Sequence, residues 1–208
     1  MKRYQLMLDK FQAEKLFSVI RSKKDIVCLW MNTIKIFLTH IKPERNEEFC
    51  SLILLVDKMS RLFIVSDGKA VSVKFPFFVQ DNEEGVSFSS YSHVDINSMI
   101  SSDILSLVEA RDIFTEDDIF KFADSIWDVN KFHESIWCVF RDLMLCDDGY
   151  IRYDYDQERE DGDRHPLNHL DIFYSQASTF KLGLRNKVTI EYLEDILNTK
   201  TNCHYLGR

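Results

Sequence analysis

The chain has few of the residues that interrupt regular structure. Its 208 residues include three prolines and six glycines, whereas 45% are hydrophobic and sixteen are phenylalanine. Disordered and low-complexity chains are rich in proline, glycine and charge and poor in aromatic side chains. The composition therefore excludes that class and predicts a globular protein with enough apolar residues to bury a core.

Long apolar runs and paired cysteines are also missing. No segment approaches the roughly 20 apolar residues that a transmembrane helix needs. The N-terminal stretch MKRYQLMLDKFQ carries charges among its apolar positions, unlike a signal peptide. The five cysteines are odd in number and form no CxxC pair, which argues against a disulfide framework or a zinc ribbon. We expect a cytoplasmic protein with five free thiols and no membrane association.

Basic clusters and nucleotide-binding motifs are absent as well. The net charge is −8, and the richest basic run, Arg21, Lys23 and Lys24, is short. Because phosphate contacts dominate the affinity of nucleic-acid binders, this balance does not favour a nucleic-acid partner. The chain also lacks GxGxxG, P-loop, GxSxG and HExxH motifs, so the common signatures of nucleotide-binding, hydrolase and zincin sites do not apply.

In the first half of the chain, the pattern of apolar residues predicts helices and strands. Ala13, Leu16, Phe17 and Ile20 form an apolar stripe that predicts an amphipathic helix over about residues 3–22. The apolar run 26–41 fits one or two strands or a buried helix, and its periodicity does not decide between them. Three short apolar segments within 51–79 then predict an antiparallel meander, with a hairpin turn at Asp67-Gly68.

The second half predicts further helices after a polar segment. Residues 81–103 are polar and serine-rich, which predicts a long loop or a weak boundary. A helix follows at 103–112, and a later one is expected to start with Thr115 as its N-cap. Two apolar stripes mark helical faces: Ile119, Phe122, Ala123 and Ile126, then Ile136, Val139, Phe140 and Leu143. A last helix should start near Thr189. We expect one α+β domain over residues 1–208, with antiparallel strands in both halves.

The segment from 150 to 184 carries the densest polar pattern. YIRYDYD alternates strictly and places Arg152, Asp154 and Asp156 on one face of a strand. A polar loop, 157–164, leads to HLDIFYS, which places His169 and Asp171 on one face of the next strand. We expect these two strands to form a hairpin in which His169 and Asp171 face Asp154 or Asp156. STFKLGL, 178–184, fits a third strand.

Two interpretations of this hairpin stay open at the level of sequence. Its candidate catalytic residues are His165, His169, Asp171 and Asp154, because carboxylates and imidazoles bind divalent metals and transfer protons. In HPLNH the two histidines are four apart, a spacing that brings them together on a helix, which Pro166 can open. Alternatively, the alternating charges are the solvated face of a half-buried sheet.

The same segment resembles a known family. RYDYD (152–156) and HPLNHLDI (165–172), preceded by the helix ESIWCVFRDLML, resemble the bacterial proteins of domain-of-unknown-function family 2290. The resemblance implies no activity. It implies products of mobile or defence-associated loci, and hence a role that depends on a protein partner.

Two functions from different classes follow from these observations. The first is a non-catalytic accessory or interaction subunit of a bacterial complex, such as an anti-phage defence or mobile-element system, with Arg152, Asp156 and Lys181 as binding residues and no assigned metal. The second is a metal-dependent hydrolase, a nuclease or nucleotide hydrolase, centred on the hairpin. A divalent metal enters only with this alternative, so the sequence leaves open whether the protein is an enzyme.

Overall fold

The computed structural model describes residues 1–18, 20–83, 85–110, 134–175 and 178–205. Its strands are β1 (Lys2–Leu8), β2 (Cys50–Val56), β3 (Arg61–Ser66), β4 (Lys69–Lys74), β5 (Phe78–Asn82), β6 (Gly85–Ser89), β7 (Ile151–Tyr155), β8 (Asn168–Ser175) and β9 (Ser178–Leu184). Its helices are α1 (Lys10–Glu14), α2 (Lys23–Thr39), α3 (Ser98–Ala110), α4 (Glu134–Leu145) and α5 (Ile190–Ile196). The fold is α+β, as predicted.

Strands from both halves of the chain share one antiparallel sheet. Its order is β1-β2-β3-β4-β7-β8-β9, while β5 and β6 form a separate hairpin. The meander β2-β3-β4 confirms the sequence prediction, and Ser66 pairs with Lys69 across the predicted Asp67-Gly68 turn. Gly68 has a φ of +73°, the left-handed conformation that favours glycine.

The N-terminal helix predicted over residues 3–22 is wrong outside Lys10–Glu14, because β1 occupies Lys2–Leu8 and α1 ends at Glu14. Tyr4, Leu6 and Leu8 alternate, and their strand pairs along all of β2, from Lys2 opposite Val56 to Leu8 opposite Cys50. Asp9 then caps the short helix α1, since its side chain accepts a hydrogen bond from the Gln12 N–H at 2.7 Å. Pairing with a neighbouring strand determines the secondary structure of the first eight residues. A helical periodicity in the sequence does not detect such pairing.

The two segments that the sequence left ambiguous have regular structure. Residues 26–41 lie mostly in α2, whose first turn is held by Asp25 accepting from the Ser22 N–H at 2.9 Å. The long loop predicted over 81–103 is wrong, because β5 and β6 pair through it and α3 begins at Ser98. Polar composition there reflects an exposed hairpin.

Later helical predictions agree with the structure where it describes them. The stripe Ile136, Val139, Phe140 and Leu143 is buried in α4. Thr189 caps α5, accepting from the Tyr192 N–H at 3.3 Å. The helix predicted to begin at Thr115 lies outside the described residues.

The sheet buries both faces against helices. One face packs on α2, α3 and α4, and we call it the helix-covered face; its strand residues in the core include Leu8, Cys50, Leu52, Leu54, Leu62, Ile64, Val71 and Val73. The opposite face packs on α5 through Ile53, Leu55, Phe63, Ala70, Tyr153 and Leu170. The sheet is therefore the centre of the core.

Two buried cations hold the segment that leads into β7. The Lys23 ammonium donates to the Cys146 carbonyl and pairs with Asp148. The Arg61 guanidinium donates to the Gly149 carbonyl at 2.5 Å and to Ser72 Oγ at 3.1 Å. These contacts place β7 beside β4, on the same sheet as the meander.

Candidate functional site

The predicted hairpin of β7 and β8 is confirmed, and its register brings the candidate residues together. Arg152 lies opposite Asp171, and Asp154 lies opposite His169. On the far side of β8, Asp171 lies opposite Lys181 of β9. Cross-strand neighbours share one face of a sheet, so these five side chains form one group, which we call the charged cluster.

The charged cluster lies on the helix-covered face. Arg152 is opposite Val71, a core residue of β4 on that face, and Asp154 is opposite Lys69. The alternate residues of the hairpin, such as Tyr153 and Leu170, point to the α5 side. Strict alternation in the sequence thus produces the two-sided arrangement that it predicted.

Ion pairs connect the acids of the cluster to its cations. Arg152 Nε lies 2.6 Å from Asp154 Oδ2, and Arg152 Nη2 also pairs with Asp171 Oδ2. Asp171 Oδ1 is 3.1 Å from Lys181 Nζ. Asp171 is buried, with only 7% of its side chain exposed, and each of its oxygens has a cation. A buried carboxylate with two charged donors is well compensated.

The histidines accept hydrogen bonds from the same lysine. Lys181 Nζ is 3.0 Å from His169 Nε2 and 3.2 Å from His165 Nε2. An ammonium has only donors, so we assign both Nε2 atoms as unprotonated acceptors. His169 Nδ1 then carries the hydrogen and donates to the Pro166 carbonyl at 2.8 Å. Both nitrogens of His169 are satisfied, whereas the buried Nδ1 of His165 has no hydrogen-bond partner within the described part of the chain.

The helical option for HPLNH is wrong. His165 forms an isolated bridge with Asp161, and the chain enters β8 at Asn168 without a helical turn. The two imidazoles nevertheless meet, with ring centroids 4.6 Å apart. A turn at Pro166 brings them together, and it packs against Gly183, where a Cβ atom would lie 3.0 Å from Pro166 Cγ. Glycine at this position lets β9 approach the turn.

Asp156 lies at the margin of the cluster. Its Oδ2 is 3.9 Å from His165 Nε2, and its Oδ1 accepts from the Arg159 N–H at 3.1 Å. The second contact is local and orders the start of the 157–164 loop. Asp156 therefore supports the connection between the strands more than it supports the centre of the cluster.

Two members of the site were missed by sequence reasoning. Lys69 of β4 lies opposite Asp154, and burial, together with the neighbouring Arg152 charge, lowers its pKa. Tyr150 stacks on Phe173, with ring centroids 4.1 Å apart, and burial raises the pKa of its hydroxyl. The alternation of YIRYDYD puts Tyr150 on the same face as Arg152, but the contact with Lys69 depends on the distant pairing of β4 with β7.

The electrostatics of Arg152 reflect this environment. Burial acts to lower the pKa of its guanidinium, but attraction from Asp154, Tyr150 and Asp171 outweighs burial and raises the pKa. The cluster therefore favours the charged form of its central cation, as expected where acids surround a base.

A metal could draw on three of these residues. One ligand atom each from Asp154, His169 and Asp171 lies within 4.8 Å of the others. However, the Lys181 ammonium lies beside Asp171 and His169, and Arg152 pairs with both acids. The donor set suits a divalent cation, but the contacts that such an ion would make are already made by protein cations.

Three of the five thiols are not activated for nucleophilic chemistry. All five cysteines are free, as predicted. Burial raises the pKa of Cys28 and Cys146 to about 11 and that of Cys50 to about 12. Since the thiolate is the nucleophile, these three cysteines are inert near neutral pH.

Comparison of the chain with protein-family models, curated proteins and solved structures found no match. The resemblance of the hairpin to family 2290 therefore stays a prediction. Among the described residues, no helix combines the length and apolar character that crossing a bilayer takes.

Proposed function

We propose that the protein is a non-catalytic accessory or interaction subunit of a bacterial complex, in which the charged cluster is a structural element of the sheet. The observation that carries the proposal is the internal pairing of the cluster. Each candidate catalytic side chain contacts another protein group: Asp154 and Asp171 contact Arg152, and His165 and His169 contact Lys181.

The position of Lys181 is the main argument against a resident metal. Its Nζ lies within 3.2 Å of acceptor atoms on Asp171, His169 and His165. A divalent ion bound to these atoms would sit beside the ammonium and repel it strongly in a partly buried site. Metal binding would therefore require Lys181 to leave three contacts.

Partner chemistry follows from charge and from the family resemblance. The net charge of −8 favours a protein partner over a nucleic acid. Five free thiols fit a reducing cytoplasm. An anti-phage defence or mobile-element system is what the resemblance implies, and we propose it as the setting of the complex.

A pull-down from the native host tests this function. Tagged protein should elute with a stoichiometric companion of different sequence, and the neighbouring genes should encode that companion. A variant with an altered charged face outside the cluster, Asp163→Lys in the exposed 157–164 loop, controls for nonspecific charge effects. The proposal fails if the chain elutes with no stoichiometric companion.

The geometry of three potential ligands keeps a metal-dependent hydrolase as the alternative. Titration with Mn²⁺ or Zn²⁺, followed calorimetrically, separates the two functions. We expect no stoichiometric binding to the wild type, and a lower melting temperature for His169→Ala because its lost hydrogen bonds cost roughly 1–3 kcal/mol. Tight binding to the wild type that disappears in His169→Ala, with stability unchanged, would establish the alternative. Lys181→Met is the matched variant, since it removes the ammonium and should permit metal binding only if Lys181 is the obstacle.

A further inference from the structure

Strand β9 is one of the two edges of the seven-stranded sheet. Its residues Thr179, Phe180, Lys181 and Gly183 are exposed. Among the residues that the structure describes, no strand pairs with its outer side. An edge strand presents unpaired N–H and C=O groups that can template a further strand.

The ladder identifies which backbone groups face outward. The Phe173 N–H donates to the Tyr150 carbonyl, and the Asp156 N–H donates to the Leu167 carbonyl. Bonded and non-bonded pairs alternate in an antiparallel ladder. The backbone groups of Leu170 and Ile172 therefore turn toward β9, where their neighbours are Leu182 and Phe180.

The residues of β9 between these positions direct their backbone N–H and C=O groups outward. By the same alternation, Thr179, Lys181 and Gly183 direct their N–H and C=O groups away from β8. An incoming antiparallel strand could form hydrogen bonds with all three residues. This is the geometry of strand addition, in which backbone bonds give affinity and alternate side chains give specificity.

The side chain that would normally protect this edge is turned away. Charged residues, especially lysine, and proline discourage pairing at sheet edges. Residues 178–184 contain no proline, and Lys181 is their only charged residue. Its ammonium is bound inward by Asp171, His169 and His165. The charged cluster thus removes the edge charge from the outer side of the sheet.

The opposite edge differs. His40 Nε2 lies 2.9 Å from the Met7 carbonyl of β1. Lys2 pairs with Asp81 of β5, and Arg3 with Glu194 of α5. Edge β1 is therefore tied to other elements of the same chain, whereas no strand of the described residues pairs with the outer side of β9.

The β9 sequence is complementary to itself. In a two-fold antiparallel pair centred on Leu182, Phe180 faces Leu184 of the second copy and Lys181 faces Gly183 of the second copy. The apolar residues Phe180, Leu182 and Leu184 then form one continuous cross-strand row, with no like charges opposed. Centring on Lys181 instead would oppose two lysines. We infer that β9 pairs with β9 of a second copy of this chain about Leu182, joining two seven-stranded sheets into one.

A cysteine cross-link tests the register. Leu182 turns its backbone toward β8, so a Leu182–Leu182 pair is of the non-hydrogen-bonded type, with Cα atoms roughly 4.5 Å apart. In a Cys203→Ser background, which removes the exposed native thiol, Leu182→Cys should form an interchain disulfide under mild oxidation. Phe180→Cys is the control, because the two copies of position 180 lie four residues out of register, about 13 Å apart.

The oligomeric state of the purified full chain tests the interface. Sedimentation should give the mass of two chains, and Phe180→Asp should give the mass of one. Met99→Asp, at an exposed position of α3, should leave the dimer intact. Amide exchange at Thr179, Lys181 and Gly183 should be slow in the wild type and at least tenfold faster in Phe180→Asp.

A wild type that stays monomeric across a concentration series would overturn the inference, as would a dimer that survives Phe180→Asp. A monomer whose β9 amides become protected only with a pulled-down companion would show that the strand comes from another protein. These outcomes are independent of the pull-down, because the dimer requires no companion of different sequence.

Discussion

Strands β2 to β4 and strands β7 to β9 belong to one sheet. The side chains that they place on its helix-covered face differ in kind. Over β2 to β4 the face is apolar and covered by α2, α3 and α4, with Trp30 and Phe140 fully buried. Over β7 to β9 it carries the charged cluster, where Asp171 and His169 are buried but paired. Tyr150, stacked on Phe173, marks the boundary between the two.

The difference separates stability from specificity. Apolar packing is non-directional and scales with the area removed from water. A buried ion network gains little net free energy, because desolvation offsets much of the attraction, but it penalises any arrangement that leaves a member unpaired. A slip of one residue in β8 would move Asp171 and His169 to the α5 face. We therefore attribute stability to the apolar region and register to the cluster.

The largest change in the free energy of unfolding should come from a substitution in the apolar region. Phe140→Ala removes a fully buried ring of α4, and large-to-small changes of this kind cost roughly 3–5 kcal/mol. Urea unfolding measures the loss. Leu145→Ala on the same helix is the control, because Leu145 is 78% exposed and should change the free energy of unfolding by less than about 0.5 kcal/mol. Equal losses would contradict the assignment of the core.

The second largest loss of stability should come from removing the central acid of the cluster. Asp171→Ala leaves Arg152 and Lys181 without their shared carboxylate. Breaking a fully buried pair costs about 3–5 kcal/mol, and the partial exposure of both cations reduces the expected loss to roughly 2–3 kcal/mol.

A double-mutant cycle with Lys181→Met sharpens this expectation. If the residues act as one network, the double variant should lose clearly less than the sum of the single losses. Additive losses would mean that the cluster is a set of independent surface pairs.

Sequence alone predicted the parts of this comparison that depend on local periodicity. The stripe on α4 has the helical period, and RYDYD and HLDIF have the strand period, so both gave the correct face. The connection between the strands is short and polar, which made a hairpin the simplest topology. Arg152, Asp154, His169 and Asp171 could therefore be grouped from the sequence.

The sequence predictions failed where the structure depends on pairing between strands that lie far apart in the chain. Residues 2–8 form a strand because β2 lies beside them, and Lys69 joins the cluster because β4 pairs with β7 across a connection of some eighty residues. Neither contact leaves a local pattern. The two histidines of HPLNH meet through a turn at Pro166, whereas their spacing suggested a short helix as one option.

The apolar region should also respond to alkaline pH. Burial raises the pKa of Cys50 to about 12, from 9.0 for a solvated thiol. Stability from this group is complete below the lower value and is lost as pH rises toward the higher one, because only the unfolded state releases the proton. Between about pH 9 and about pH 10.5 the loss amounts to roughly 2 kcal/mol.

Cys50→Ala tests this pH dependence. The variant should lose less stability over that interval than the wild type does, whatever its stability at neutral pH. Urea unfolding at both pH values provides the comparison, and Cys203→Ala, at an exposed site, should behave as the wild type. Identical pH dependence in Cys50→Ala and the wild type would show that another group controls alkaline unfolding.

The smallest loss of stability should come from His165→Ala, and its size should distinguish the two histidines. His169 is 1% exposed and both of its nitrogens are bonded, whereas His165 is more exposed and its buried Nδ1 has no hydrogen-bond partner among the residues that the structure describes. Truncating His165 removes one hydrogen bond from Lys181 but also removes an unsatisfied donor, so the two effects partly cancel. His165→Ala should therefore cost less than about 1 kcal/mol, against roughly 1–3 kcal/mol for His169→Ala. A metal site would behave otherwise, because His169, and not His165, belongs with Asp154 and Asp171 to the group of potential ligands among the described residues. His169→Ala would then abolish metal binding while changing the stability of the metal-free protein little, and His165→Ala would retain binding. Thermal unfolding of the two variants, with and without added Zn²⁺, measures the asymmetry. A loss of stability in His169→Ala that appears only with the metal present would assign the cluster to metal binding and would remove the basis for treating Lys181 as its resident cation.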